Sequence, residues 1–313
     1  MNRILLLLLL MLGLAPIVIQ DRGHLYFMTL IMIWCVFAIG YDLVFGVTGL
    51  LSFGHAAFLG VGSYVFAFIV IQNPALFPLA VIAAGLAGGA IALIVAALAL
   101  RLSGIYFSLM TLAIAELLFF AASSPLRALT GGEDGVAGVP RPRFLGLDFL
   151  DDTKFYLLVL GFFALALYVS LRLRNSPFGQ ALKGVKLNEV RADQVGFNVK
   201  RLKLAAFAVS GVYAGVAGAL LGSLMQFVNP QGLHWSTSGD VVIMTLLGGI
   251  GTLFGPVLGV VVFEVLKETL SSYTIHWYGI LGLIFIVATM YMPNGIHGVL
   301  VSMRAGLVRE KKP

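Results

Sequence analysis

"LAVIAAGLAGGAIALIVAALAL", residues 79–100, consists entirely of apolar residues and glycine. A helix needs about 20 apolar residues to cross a bilayer, and this run is long enough. Its apolar residues are continuous rather than alternating, which favours a spanning helix over a strand of a β-barrel. The whole chain is 60% hydrophobic and 11% charged, whereas soluble domains are about 45–50% apolar and about 25% charged. The sequence therefore predicts an all-α integral membrane protein.

Further apolar runs follow one another closely along the chain. They are residues 4–19, 25–47, 56–71, 105–121, 155–171, 204–228, 241–268 and 277–292. Together they predict that residues 1–313 form a single domain, a polytopic helix bundle of about 8–10 spans that includes broken or re-entrant helices. The first run resembles a signal peptide, but no A-x-A-like cleavage motif follows it. We interpret it as a retained first helix, with a cleaved leader as the alternative.

Charge is distributed unevenly between the two long connections. The 122–154 connection has four basic and five acidic residues, whereas the 172–203 connection has eight basic and two acidic residues. Because cytoplasmic connections of membrane proteins are enriched in Lys and Arg, 172–203 is predicted to be cytoplasmic and 122–154 extracytoplasmic. The same rule explains the net charge of +6 without a nucleic-acid partner. Counting spans backward places the N-terminus in the cytoplasm.

The basic tail, residues 303–313, imposes a further condition on the topology. Its cations are Arg304, Arg309, Lys311 and Lys312, and they favour a cytoplasmic C-terminus. Simple alternation through 241–268 would leave this tail outside. Glycines and Pro256 crowd the 248–256 segment, so we predict that 241–268 consists of two half-helices that enter and return on one side. A continuous helix is the alternative.

Two glycine-rich interruptions, 40–62 and 248–256, are expected to leave backbone groups free at membrane depth. Interrupted helices of this kind indicate a translocation path in transporters, and close helix packing is the alternative. The predicted path residues are Ser52, Gly54, His55, Gly248, Gly249, Gly251, Thr252 and Gly255. His55 could instead be a hydrogen-bonding residue at a helix end. The small-residue face Gly211, Gly215, Gly218 and Gly222 is assigned to packing.

Few ionisable residues lie within the apolar runs. Asp42, Glu116 and Glu264 would be costly to expose to lipid, so they are expected to face the bundle interior or to extend toward the membrane surface. The outer-connection aspartates 148, 151 and 152 could hint at metal-dependent phosphate chemistry, but they do not form a DDxxD motif. Cys35 is a single cysteine, and the histidines have no metal-binding spacing. We therefore predict no metal site and no enzyme activity.

Six segments resemble the LivM-type permease subunit of branched-chain amino acid ABC transporters. They are "YDLVFGVTGLLSFGHAAFLGVGSY" (41–64), "GIYFSLMTLAIAE" (104–116), "LTGGEDGVAGVP" (129–140), "SPFGQALKGVKLNEVRADQVGFNV" (176–199), "LAAFAVSGVYAGVAGALLG" (204–222) and "LLGGIGTLFGPVLG" (246–259). Pro177 is well placed to open a short amphipathic helix within the fourth segment. A helix lying on anionic lipid headgroups is the alternative for this segment.

The resemblance implies that 172–203 is a coupling loop that docks on an ATPase. By position, the residues that match this loop are Gly179, Ala181, Glu189, Ala192 and Gly196, while Gly184, Lys186 and Asp193 depart from the family pattern. ATP would be bound by partner subunits and no cofactor by this chain, which has no GxxxxGK[ST] motif. The implied partners are a second, LivH-like permease, two ATP-binding subunits and an extracytoplasmic solute-binding protein.

The implied location is the bacterial inner membrane, with lipid around the spans and both termini in the cytoplasm. The implied solutes are branched-chain amino acids or related small polar molecules. A secondary transporter driven by an ion gradient is the alternative, because broken helices also suit that class.

Overall fold

The apolar runs form helices throughout the part of the chain that the computed structural model describes, residues 3–18, 21–144, 147–292 and 294–309. The helices are α1 (Arg3–Val18), α2 (Arg22–Asp42), α3 (His55–Gln72), α4 (Phe77–Ala99), α5 (Ile105–Ser123), α6 (Arg127–Thr130), α7 (Asp152–Asn175), α8 (Pro177–Leu187), α9 (Glu189–Gln194), α10 (Val199–Met225), α11 (Trp235–Gly248), α12 (Gly255–Tyr273), α13 (Trp277–Tyr291) and α14 (Gly295–Arg309). Within these residues, seven segments are long and apolar enough to cross a membrane. The predicted all-α, polytopic fold class is confirmed.

Short strands accompany the connections at one end of the bundle. They are β1 (Val136–Ala137), β2 (Arg143–Phe144), β3 (Leu147–Asp148) and β4 (Phe227–Val228). β1 pairs antiparallel with β4, and β2 pairs antiparallel with β3. The β1–β4 pair ties the 122–154 connection to the residues that follow α10. We refer to this end of the bundle as the loop end.

The charged segment lies at the opposite end of α7, which we call the α8 end. The 24 residues of α7 separate the two ends by about 36 Å. Side-chain caps begin each helix of the segment: Ser176 accepts from Gly179 N at the start of α8, and Asn188 and Asn198 begin α9 and α10 in the same way. α10 starts five residues before the predicted apolar run 204–228. Its polar first turn is helical because Asn198 caps it, which hydropathy alone does not indicate.

The core is built around α10, whose small-residue face allows close packing. A β-carbon at Gly215 would overlap the carbonyl of Ala84 in α4, and one at Gly218 would overlap the carbonyl of Leu59 in α3. Backbones can approach this closely only where side chains are absent. The assignment of this face to packing is confirmed.

The 241–268 run is interrupted between α11 and α12, as the glycines predicted. Gly248 lies against Gly255, and Met244 lies against Gly259, so the two helices are antiparallel neighbours. α11 begins at the loop end beside α5, because Trp235 N donates to Glu116 Oε1 at 3.1 Å. The pair therefore runs to the α8 end and back to the loop end.

The connection between α13 and α14 lies at the α8 end, beside the turn between α11 and α12. A β-carbon at Gly249 would lie 2.8 Å from the carbonyl oxygen of Asn294, the residue before α14. α14 therefore begins at the α8 end, the end that carries the basic segment. This agrees with the charge argument for the tail, although Lys311 and Lys312 lie outside the described residues, as do Met1 and Asn2.

Candidate functional site

The first interruption begins where α2 changes to a π-helix at Leu43–Val47. Backbone groups released by this change find partners within the turn: Thr48 Oγ1 donates to Leu43 O at 2.9 Å, and Leu50 N donates to Val44 O at 3.1 Å. π-helical turns are rare and frequently occur at functional sites. The predicted apolar run 25–47 is therefore two elements.

The second interruption, residues 248–256, contains a turn at 249–254 between α11 and α12. Gly251 has φ +76°, a left-handed conformation that L side chains rarely adopt. Thr252 Oγ1 donates to Gly249 O and accepts from Gly255 N, both at 2.9 Å. Thr252 thus closes the turn and begins α12.

The two interruptions contact each other through Asp42. Gly251 N donates to Asp42 Oδ1 at 2.8 Å, which joins residues 209 positions apart. A β-carbon at Gly46 would overlap both Asp42 Oδ1 and Gly251 N, so this contact requires glycine at position 46. The sequence singled out both interruptions but carried no signal that they meet.

Asp42 also forms a buried ion pair with Arg174 in the last turn of α7. Arg174 Nη2 lies 2.6 Å from Asp42 Oδ2, and the two side chains are 7% and 0% exposed. Arg174 Nε also donates to Ser170 Oγ at 3.3 Å. Charges this deeply buried are tolerated only when they are paired and hydrogen-bonded. Asp42 therefore faces the bundle interior, as expected for an ionisable residue at membrane depth.

Lys186, in the last turn of α8, attaches the charged segment to the first interruption. Its Nζ donates to Gly46 O at 2.7 Å. We call the set Asp42, Gly46, Arg174, Lys186 and Gly251 the junction. From the sequence alone, Gly251 is a predicted path residue, Lys186 is a departure from the family pattern, and Asp42 is only a buried charge.

The path residues of the first interruption lie in the core of the chain. His55 is fully buried; its Nε2 is 2.9 Å from Ser210 Oγ and its Nδ1 is 3.2 Å from Ser52 Oγ. Gly54 N donates to Ser52 Oγ at 3.2 Å. This is the hydrogen-bonding arrangement of a helix end, the alternative considered for His55. A path role for Ser52, Gly54 and His55 stays a prediction.

The path residues of the second interruption divide into two groups. Gly248 and Gly255 are buried where α11 crosses α12. Gly249, Gly251 and Thr252 are in the turn itself, and Gly251 is beside the first interruption. The structure thus brings Gly251 into the junction, while Gly248 and Gly255 pack helices.

The coupling residues matched by position mostly face inward. Gly179 packs against the carbonyls of Leu173 and Arg174, and Ala181 and Ala192 are buried. Glu189 Oε2 pairs with Lys203 Nζ at 2.6 Å, and Gly196 has φ +98° in the turn before α10. Gly179, Ala181 and Ala192 thus lie inside the segment, whereas Glu189 and Gly196 are exposed. A coupling role for these five residues stays a prediction.

Large apolar side chains point outward from the same segment. Leu187 is 87% exposed, Val195 is 73% exposed, Val190 is 68% exposed and Phe197 is 46% exposed. We call these four residues the docking face. None of the four is among the residues predicted from the sequence, although bulky apolar residues among cations at 187, 190, 195 and 197 are a signal that the sequence carries.

Three further carboxylates flagged by the sequence, Glu116, Asp151 and Asp152, have structural partners. Glu116 caps α11 through Trp235 N. Glu264 is 2% exposed and lies 3.8 Å from Lys267 Nζ, and its Oε1 has no hydrogen-bond partner among the described residues. At the loop end, Asp151 caps α7 through Thr153 N, and Asp152 pairs with Arg141 at 2.6 Å. Among the described residues, no group of three or more His, Cys, Asp or Glu could hold a metal ion.

Comparison with known proteins supplies relatives over nearly the whole chain. A family model described as "Branched-chain amino acid transport system / permease component" matches residues 23–290. The high-affinity branched-chain amino acid transport permeases LivM of Escherichia coli and Salmonella typhimurium are each 27% identical over 94% of this chain and 75% of their own length. The LivH permease of Escherichia coli is 24% identical over 85% of this chain and 91% of its own length. No solved structure matches the chain.

Proposed function

This chain belongs to the branched-chain amino acid transport permease family, and from that premise we propose that it is a membrane permease subunit of an ATP-driven importer. Its cargo would be branched-chain amino acids or closely related small solutes, the class named for its LivM and LivH relatives. A second, LivH-like permease would complete the pore. Two ATP-binding subunits and an extracytoplasmic solute-binding protein would complete the transporter.

The observation that carries the proposal is the docking face. Four bulky apolar side chains are exposed on α8, α9 and the turn after α9. They lie beyond the end of α7, whose last turn carries Arg172 and Arg174. Exposed apolar residues rimmed by polar ones are typical of protein–protein contact surfaces. An ATPase subunit is the occupant that the family indicates for this end, which would then be cytoplasmic.

The segment is less well suited to the lipid-headgroup alternative. Glu189 and Asp193 lie among its exposed residues, and carboxylates are repelled by anionic headgroups. Val185, Ala192 and Val199 form a small core beneath the docking face. The segment is thus a folded unit with its own inner and outer sides, which favours a protein partner.

Ion-gradient-driven transport remains the alternative, and two of the intramembrane carboxylates argue against it. Asp42 is neutralised by Arg174, and Glu116 caps a helix. A proton- or cation-coupled transporter uses intramembrane carboxylates as its relay or binding groups. Here Asp42 and Glu116 are occupied by structural partners, whereas Glu264 has only the 3.8 Å contact with Lys267.

The test is uptake of labelled leucine by vesicles that contain the assembled transporter, with ATP inside. We expect uptake to stop when the ATPase subunits carry a substitution that prevents hydrolysis, and to continue when an ionophore removes ion gradients. Persistence of uptake without hydrolysis would overturn the proposal. Loss of uptake with the ionophore at constant ATP would support the secondary-transporter alternative.

A second measurement tests the docking face itself. The double variant Leu187→Ser and Val195→Ser is expected to insert normally but to lose the copurifying ATPase subunits. Ile275→Ser is the matched control, because Ile275 is 94% exposed between α12 and α13 at the loop end. Retention of the ATPase by the double variant would show that this face is not the contact surface.

A further inference from the structure

We infer that the junction converts a displacement of α8 into a displacement of both interruptions, with one permanent and one releasable attachment. Asp42 and Arg174 form the permanent attachment, and Lys186 on the carbonyl of Gly46 forms the releasable one. Asp42, Arg174 and Lys186 would then be positioning residues for transport. The inference rests on the proposed function, since it requires that a partner moves α8.

The first step is that α8 and the end of α7 move together. A single residue, Ser176, separates the two helices. A β-carbon at Gly179 would overlap the carbonyl of Leu173 and lie 2.7 Å from that of Arg174. Gln180 Nε2 also donates to Arg174 O at 3.2 Å. This close corner leaves little room for one helix to shift against the other.

The second step is that this corner holds the first interruption at two points. Arg174, before the corner, binds the side chain of Asp42, and Lys186, after it, binds the carbonyl of Gly46. The two accepting groups are four positions apart around the π-helical turn. A rotation of α8 would therefore pull on both ends of that turn.

The third step is that Asp42 passes the displacement to the second interruption. Its Oδ2 binds Arg174, while its Oδ1 accepts from Gly251 N. Gly46 leaves no space for a side chain between these groups. One carboxylate thus joins the α7–α8 corner, the π-helical turn and the turn between α11 and α12.

The two attachments differ in how easily they open. Asp42 and Arg174 are buried, so separating them would leave two unpaired charges away from water. Lys186 is an exposed residue and its ammonium can return to water, so opening this bond leaves one neutral buried acceptor, the Gly46 carbonyl, rather than two buried charges. The ion pair should therefore persist throughout the movement of α8, whereas the Lys186 hydrogen bond should pull on Gly46 at first, open as the displacement grows, and form again on return.

The experiment measures leucine imported per ATP hydrolysed by the reconstituted transporter. Lys186→Met keeps the length of the side chain and removes the donor, and Lys183→Met, on the exposed side of the same helix, is the control. We expect Lys186→Met to lower the ratio about tenfold, within the range of coupling energies known for such networks. Lys186→Arg should restore it, and Lys183→Met should match the wild-type chain.

The permanent attachment is tested with the neutral pair Asp42→Asn with Arg174→Gln. Removing both charges avoids an unpaired buried ion, and we expect this variant to assemble but to import with a similarly lowered ratio. If the wild-type chain is coupled to ATP and both Lys186→Met and the neutral pair keep the wild-type ratio, the inference is overturned while the proposed function stands. If wild-type import needs no ATP, the proposed function itself fails. If the neutral pair does not assemble, Lys186→Met decides the question.

Discussion

Arg174→Gln alone should destabilise the chain severely. The substitution leaves the carboxylate of Asp42, 0% exposed, without its cationic partner and with Gly251 N as its remaining donor among the contacts described. Breaking a buried ion pair from one side costs about 3–5 kcal/mol, because an uncompensated charge stays in an apolar environment. That is a large fraction of a typical folding free energy of about 5–15 kcal/mol.

This cost converts to an expected shift of the melting temperature. For domains of about 150–250 residues, 1 kcal/mol lowers the midpoint by about 2–4 °C. This chain has 313 residues, so we take the lower figure and expect a decrease of roughly 6–10 °C. The neutral pair Asp42→Asn with Arg174→Gln should lose less than Arg174→Gln alone, because an amide pair leaves no buried charge.

The assay is thermal unfolding of the purified chain in detergent, followed by tryptophan fluorescence. Arg172→Gln is the matched control: Arg172 is in the same turn of α7 but exposed, and its Nε donates to Tyr168 Oη at 3.1 Å. We expect this control to change the unfolding free energy by at most about 0.5 kcal/mol. The reasoning is refuted if Arg174→Gln has the same melting temperature as Arg172→Gln, or if the neutral pair has a lower melting temperature than Arg174→Gln.

Three further predictions concern packing, orientation and transport. Gly46→Ala should destabilise the chain, since its β-carbon would overlap Asp42 and Gly251. The control Gly184→Ala, in α8 with open space around it, should be neutral or stabilise the chain by about 0.5–1 kcal/mol. Equal melting temperatures of these two variants would contradict the prediction. Glu189→Cys should resist an impermeant thiol reagent on intact cells and react with it in inverted vesicles. The native Cys35 is 1% exposed and should not react. Labelling of Glu189→Cys on intact cells would reverse the predicted orientation. Gly54→Leu should insert into the membrane but abolish uptake, because a β-carbon at position 54 would already lie 3.1 Å from the Thr111 carbonyl oxygen. Wild-type uptake by this variant would exclude a role for the first interruption in transport.

Much of the architecture was predictable because its causes are local in the chain. The apolar runs predicted helices, the glycines of 248–256 predicted the interruption between α11 and α12, and Pro177 predicted the start of α8. Each of these depends on the length, hydropathy or backbone preference of a short segment. The packing face on α10 was also visible, since helical spacing alone places its glycines on one side.

The orientation of side chains on α8 and α9 was not predictable in the same way. Gly179 and Ala192 match a family pattern, yet they face inward, while Leu187 and Val195 face outward. Both faces of a short helix contain apolar residues, so the sequence does not say which face packs on the chain. The neighbours in the fold decide it.

By itself, the sequence determined the membrane class, the helix content and the two places where spans are interrupted, because hydropathy and glycine content act over a few consecutive residues. Only the tertiary structure decided that these interruptions meet at Asp42, that Arg174 neutralises it, and that Lys186 reaches Gly46. Such contacts join groups more than a hundred positions apart, and their geometry follows from how the helices pack rather than from any local preference.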